Sequence, residues 1–300
     1  MTGSPALSLH GLTKHYRGLV AVDEVSLTVE SGEVFGFLGV NGAGKTTTIR
    51  MLLDLLRPTR GHASVFGFDC HRQGVEARRQ IGYLPGEMPI YPDLTGFQYV
   101  QYLAALGDRP VARPTLDRLL GRFGLSSADL QRTLREDSHG TKRKFGLVQA
   151  LMTEAPLIIL DEPTSGLDPV MIESFVEIVG ELKQRGAAVF LSSHVLAEVG
   201  RLCDRIGIIR RGRLIDVQSL ATLRQNAPRR VTIDFLAPVA VPPPAPATAL
   251  NVTPRRWCVE LHGPLGPFLA AIRDLPVDDL QIEPFKLDDY VLERYATRGD

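Results

Sequence analysis

The chain has 300 residues, 44% hydrophobic and 23% charged, and its 34 Lys and Arg balance 34 Asp and Glu to a formal net charge of zero. That is ordinary globular material, enough for a sizeable core and one large or two smaller domains, without the basic excess of a nucleic-acid binder. Cys70, Cys203 and Cys258 are far apart and form no CxxC pair, which excludes a disulfide framework and argues against a metal site; they read as free thiols of a reducing compartment.

Met1 to His10 has neither a basic n-region nor an apolar h-region, so no signal peptide is expected. Val25 to Glu30 and Val34 to Leu38 read as strands separated by Ser31-Gly32. Thr46 to Leu56 reads as a helix stopped by Pro58 and Gly61. Thr95 to Leu134 reads as mostly helical, punctuated by Gly107, Pro110, Pro114 and Gly124. The apolar run Leu157 to Leu160 ends in acid, the pattern of a buried parallel strand whose C-terminal end faces a ligand. Ile172, Phe175, Val176, Val179 and Leu182 follow helical spacing, with Gly186 as the cap. Ala188 to Leu191 and Ile206 to Ile209 are further strands, and the alternation of strand and helix predicts an α/β fold with a parallel sheet.

Composition shifts after Asn226. Arg229 to Phe235 reads as a strand, Arg256 to Leu261 alternates, and Pro264 to Arg273 and Leu287 to Thr297 read as helices. The uncharged stretch from Phe235 to Pro254 holds six prolines, which makes it a linker or loop and not a membrane span. The expected organisation is a domain over 1–226 and a small α+β domain over 227–300, without internal repeats.

Gly39-Val40-Asn41-Gly42-Ala43-Gly44-Lys45-Thr46 fits G-x-x-x-x-G-K-[ST], a phosphate-binding loop. Its glycines let backbone N–H groups turn toward phosphate oxygens, and the following helix presents its positive end to them. Lys45 would reach the β- and γ-phosphates, and the Thr46 hydroxyl could ligate Mg²⁺. A chance glycine turn with a surface lysine would lack the strand before and the helix after. In the strand end Leu157 to Glu162, one carboxylate could hold Mg²⁺ directly or through water and the other could polarise an attacking water, since adjacent acids on a strand point different ways.

Asp161-Glu162-Pro163-Thr164-Ser165-Gly166-Leu167-Asp168-Pro169 resembles the Walker B and D-loop segment of ABC ATPases, and Ser192-Ser193-His194 resembles their switch-histidine loop. The order and spacing of motifs agree from about residue 7 to 225. The resemblance implies an ABC nucleotide-binding domain: a RecA-like parallel sheet core, an antiparallel β subdomain and a helical subdomain at about 93–154. It implies that Tyr16, 23 residues before Gly39, stacks on adenine. Gly39, Asn41, Gly42, Ala43, Gly44, Lys45, Thr46 and Thr47 would form the ATP loop, with Thr46 and Asp161 serving Mg²⁺. Glu162 would be the general base, His194 would contact the γ-phosphate and orient the water, and Asp168 would shape a dimer interface. A half-buried strand tyrosine and a structural histidine are the simpler readings of Tyr16 and His194.

Two segments depart from the family pattern. Where Leu-Ser-Gly-Gly-Gln is usual, the chain reads Asp137-Ser138-His139-Gly140-Thr141. Ser138 and Gly140 are retained and would serve the γ-phosphate of an opposite subunit, while Lys142-Arg143-Lys144 reads alternatively as a solvated basic helix start. In Tyr83-Leu84-Pro85-Gly86-Glu87, Gly86 stands where the family places Gln, and Glu87 follows as a partial substitute or an exposed loop acid. Pro-Gly-Glu versions resemble ATPase subunits of ABC-2-type exporters, which would turn Met88 to Thr95 toward a membrane partner. Phe285 to Glu293 resembles the closing helix of such subunits.

The expectation is an ATP-hydrolysing subunit of an ABC-2-type exporter. It would act as a homodimer on a separate polytopic permease, peripherally at the cytoplasmic face of a bacterial plasma membrane. A regulatory ABC ATPase without a transport role is the alternative. Translation-associated members usually carry two ATPase domains, and DNA-organising ones need long coiled coils; this chain shows neither.

Overall fold

The computed structural model describes residues 4–88, 91–107, 109–226, 228–283 and 286–297. These divide into two compact units, one reaching Gln218 and resuming at Glu293, the other spanning Ser219–Leu292.

The first unit opens with β1 (Leu7–Tyr16) and β2 (Leu19–Val29), an antiparallel pair. The two-residue turn between them uses Gly18 at φ 76°, a left-handed conformation that costs glycine little. β3 (Val34–Leu38) is buried at all five residues and leads through the glycine-rich loop into α1 (Lys45–Leu52). β4 (Arg60–Val65), β5 (Phe68–Asp69), α2 (Gly74–Arg78) and β6 (Ile81–Leu84) follow. Four helices come next: α3 (Gly96–Leu106), α4 (Arg113–Arg122), α5 (Ser127–Gln131) and α6 (His139–Leu151). The unit continues with β7 (Leu157–Asp161), α7 (Pro169–Gln184), β8 (Ala188–Ser193), α8 (Leu196–Leu202), β9 (Arg205–Arg210) and β10 (Arg213–Ser219).

The expected α/β fold is found. One sheet has the order β10-β9-β3-β8-β7-β6, with β9, β3, β8, β7 and β6 joined by parallel pairs. A second, antiparallel sheet has the order β2-β1-β4-β5. Every residue of β3, β7 and β8 is buried, which explains why these strands read as unbroken apolar runs. In this core Phe190 stacks on Phe35 at 5.9 Å between centroids and packs tilted against Phe37 at 5.4 Å, and each buried ring contributes roughly 2–3 kcal/mol. The C-terminal ends of β3, β7 and β8 lie side by side, and all three lead into the motif loops.

The second unit holds α9 (Leu220–Asn226), β11 (Arg229–Phe235), β12 (Ala247–Thr253), β13 (Arg256–Leu261), α10 (Leu265–Ile272), β14 (Val277–Glu283) and the start of α11 (Leu287–Thr297). Its antiparallel sheet, β12-β13-β11-β14, packs Val231, Ile233, Trp257 and Val259 against Phe268 and Ile272 of α10. Two sequence expectations change. Residues 247–253, assigned to the proline-rich linker, form β12, because no proline falls between Pro246 and Pro254 and this segment pairs with β13. The division also falls before α9 at Ser219, eight residues ahead of the expected 227, and the end of α11 groups with the first unit.

Candidate functional site

The glycine-rich loop closes where side chains would not fit. A Cβ on Gly39 would come within 2.6 Å of the Ile209 carbonyl, and one on Gly44 within 2.6 Å of the Ala21 carbonyl. Gly42 and Gly44 also have φ values of 79° and 112°. Ala43 is buried beneath the loop while Asn41 is exposed above it. Lys45, only 6% exposed, folds back so that Nζ donates to the Gly39 carbonyl at 2.5 Å. Gly44 offers α1 no side-chain cap, which leaves the first-turn amides to a ligand or solvent.

At the end of β7 the two acids separate. Asp161, 1% exposed, accepts from the Thr46 hydroxyl at 2.9 Å and from the Ser192 hydroxyl at 2.5 Å. Glu162 follows at φ 52°, a left-handed conformation that costs a non-glycine residue about 1–2 kcal/mol. Its carboxylate is aimed at other partners. Oε2 lies 2.7 Å from His194 Nδ1, and Oε1 lies 3.1 Å from Lys45 Nζ, an ion pair that lacks hydrogen-bond alignment. The Glu162 N–H donates to both the carbonyl and the hydroxyl of Ser192, each at 3.2 Å. Loop lysine, acid and histidine therefore form one chain of contacts. Ser192, which holds both Asp161 and the Glu162 backbone, stands out in the sequence only as part of the histidine loop.

Beside this chain lies a cleft of about 680 Å³, lined by Tyr16, residues 19–21, residues 40–47, Glu162 and Arg211-Gly212. Tyr16 is 46% exposed at the end of β1, with its ring available to a planar ligand and the Lys14 ammonium 5.3 Å from the ring centroid. Thr47 lines the same cleft. The expected loop residues from Asn41 to Thr47, Tyr16 and Glu162 thus share one cavity, with Gly39 and Asp161 supporting it.

Ser138, Gly140 and Asp168 are not among the cleft's lining. Ser138 caps α6, accepting from the Thr141 N–H at 3.1 Å, and its hydroxyl meets that of Thr141 at 2.9 Å. Thr141, the departure from the usual Gln, is thereby engaged locally. A Cβ on Gly140 would meet the Gly166 carbonyl at 2.7 Å, so this loop lies directly against the segment that follows Glu162. Asp168 caps α7, accepting from the Met171 N–H at 2.9 Å, so its carboxylate serves a helix and not the cleft of its own chain.

Gly86, where Gln was the family expectation, sits tightly against the acidic centre: a Cβ there would stand 3.1 Å from Asp161 Oδ2. Glu87 is exposed, with no hydrogen bond or ion pair among the described residues, and does not replace the amide at the site. In the 88–95 stretch, Pro89 and Ile90 lie outside the described residues, as does Phe285 of the closing segment.

The residue that sequence reasoning missed is Arg143. Placed in the sequence only within Lys142-Arg143-Lys144, with a solvated basic helix start as the alternative reading, it is 1% exposed and bonded to backbone carbonyls on both sides of the acidic strand end. Burial pulls its guanidinium down to about 10. The signal was its spacing: Arg143, Leu147 and Ala150 recur at i, i+4 and i+7 on the buried face of α6. Cys70 and Cys203 are free and buried, and burial raises the Cys70 thiol to about 12, so neither is a reactive thiol. Among the described residues no cluster of His, Cys, Asp and Glu could hold a metal by itself, and no helix is long and apolar enough to cross a membrane.

Residues 22–165 match the family model described as ABC transporter. The chain is 37% identical to the ABC transporter ATP-binding protein YhcH of Bacillus subtilis (strain 168) over 215 residues, 71% of this chain and 70% of that one. It is 38% identical to the bacitracin transport ATP-binding protein BcrA of Bacillus licheniformis over 207 residues, covering 68% and 67% of the two chains. A solved ATP-binding subunit of an ABC transporter superposes with a TM-score of 0.67 at 33% identity, over 73% of this chain and 92% of that one. The chain belongs to the ABC transporter family, as a nucleotide-binding ATPase subunit.

Proposed function

We propose that this ATPase drives a membrane exporter of the ABC-2 type, docking as a homodimer on a separate polytopic permease at the cytoplasmic face of a bacterial plasma membrane. The observation that carries the catalytic part is the contact chain Lys45–Glu162–His194 beside the glycine-rich loop. Export is supported by likeness to a relative named for bacitracin transport, and by the Pro85-Gly86-Glu87 turn.

ATP enters the cleft with its adenine on Tyr16 and its phosphates along the amides from Asn41 to Thr47. Lys45 then exchanges its contacts with Gly39 and Glu162 for the β- and γ-phosphates. Thr46 Oγ1 and Asp161 Oδ2, hard oxygens 2.9 Å apart, fit a Mg²⁺ ion and would hold it. Bound there, the metal would supply positive charge against the negative charge that develops on the phosphates. Glu162 orients a water in line with the γ-phosphorus and accepts its proton. His194, held by Glu162 Oε2, meets the γ-phosphate and fixes the carboxylate's direction. Ser138 and Gly140 are not among the residues that line their own cleft, which supports a role at the ATP of the opposite copy, with Asp168 at the seam.

The test is mild-detergent affinity purification from native membranes, with and without ATP. A co-purifying polytopic protein is the expected result. Recovery only from the soluble fraction, with no membrane protein in either condition, would overturn the exporter reading in favour of a regulatory ATPase.

A further inference from the structure

α6 begins at His139, one residue after Ser138, and one turn later Arg143 inserts into the first unit with 1% exposure. A guanidinium carries five N–H donors in a plane. Here each has an acceptor, and all five acceptors are backbone carbonyls. Nη1 donates to Pro85 at 2.6 Å and Gly86 at 3.2 Å. Nη2 donates to Asp161 at 2.5 Å and to Glu162. Nε donates to Pro163 at 3.3 Å. The acceptors come from two separate segments: the loop leaving β6 and the acidic end of β7 with the turn beyond it.

Among the described residues no carboxylate neutralises Arg143 by direct pairing. Its charge rests on carbonyl dipoles, with the Asp161 and Glu162 charges nearby favouring the cation against burial. A buried cation leaves a large penalty if any partner moves away. The three segments that meet at this side chain therefore cannot shift independently without stranding it. Glu162 in particular holds a left-handed backbone with its carbonyl fastened by Arg143 and its N–H by Ser192.

We propose that Arg143 is a positioning residue that fastens α6, the loop leaving β6 and the acidic end of β7 into one mechanical unit, so that Glu162 is aimed by, and moves with, the loop at Gly86 and the loop at Ser138. The inference rests on the reading of Glu162 as the base, and goes beyond it by naming what sets its direction. Lysine in the same place would keep the charge but offer three donors from a single point, and could not span both segments.

The experiment is steady-state ATP hydrolysis by the full-length chain carrying Arg143→Met or Arg143→Lys, with melting temperature measured with and without Mg-ATP. The expected result is kcat reduced about 10–100-fold in Arg143→Met, the size of effect a misaimed catalytic group produces. KM for ATP should stay within about twofold, because Arg143 is not itself among the residues that line the nucleotide cleft, and ATP should still raise the melting temperature. Arg143→Lys should recover part of the lost kcat. A folded Arg143→Met with wild-type kcat, or one in which kcat and KM worsen together, would overturn the proposal.

Hydrogen exchange on the unaltered chain gives an answer even if the variants do not fold. Mg-ATP should change protection at 84–87, 138–146 and 161–165 together; independent responses would also overturn the proposal. Glu162→Gln in the same assay separates the two readings. Wild-type turnover in that variant removes the base, whereas a dead Glu162→Gln beside a fully active Arg143→Met removes only the positioning role.

Discussion

Asp137 occupies the position that is leucine in the usual signature loop, and its side chain is wholly enclosed. Among the described residues neither carboxylate oxygen has a hydrogen-bond partner, and Arg132 comes no nearer than 3.7 Å. Burial raises its pKa, and Arg132 only partly opposes that. The folded protein thus holds the proton more tightly than the unfolded chain does. The resulting stability is fully present below the ordinary carboxylate range and is lost as pH rises through the raised folded value. Asp137→Asn should therefore be more stable than the parent at pH 8, by about 1 kcal/mol, and should match it near pH 3. Chemical denaturation at the two pH values checks this; equal stability at pH 8 would show the carboxylate to be solvated.

At the scale of elements, the helices that flank the acidic strand are capped by residues that the family resemblance assigns to the γ-phosphate of an opposite subunit and to a dimer interface. Ser138 caps α6 and Asp168 caps α7. Asp168→Ala should lower stability by about 1 kcal/mol through the lost cap. The melting temperature reads this in the absence of nucleotide, where any effect at a subunit seam is silent. Elements of this kind were legible in the sequence in proportion to how much burial fixed their pattern. The runs at 34–38 and 157–161 are buried on both faces and read directly as strands. β12 was hidden because six of its seven residues are exposed and it owes its existence to pairing with β13, which a local reading does not contain. Arg143 was hidden for the opposite reason. Its charge predicted solvent, and only the turn of α6 shows it facing inward. The tightness at Gly86 likewise comes from Asp161, 75 residues further along the chain.

At the scale of the whole molecule, the cleft of one chain contains the loop, Tyr16 and Glu162 but neither Ser138 nor Gly140. If an ATP needs both halves, two chains must supply them. A Lys45→Ala chain would lack a competent loop and a Ser138→Arg chain a competent signature. Mixed equally, they should regain activity that neither has alone, with roughly a quarter of the sites intact in a random mixture of dimers. ATPase assays of the separate and mixed chains decide the matter. No gain on mixing would place both halves of the site within one chain and remove the dimer from the account.

In the proposed mechanism Glu162 activates water, aimed by His194, Lys45 and the backbone around it. The most direct measurement is single-turnover hydrolysis of Mg-ATP by Glu162→Gln, with ATP binding followed in the same samples. Hydrolysis should fall at least about 100-fold, the contribution of a positioned general base, while ATP still binds. Hydrolysis at the wild-type rate with binding intact would contradict the assignment and leave the acidic end of β7 without its catalytic role.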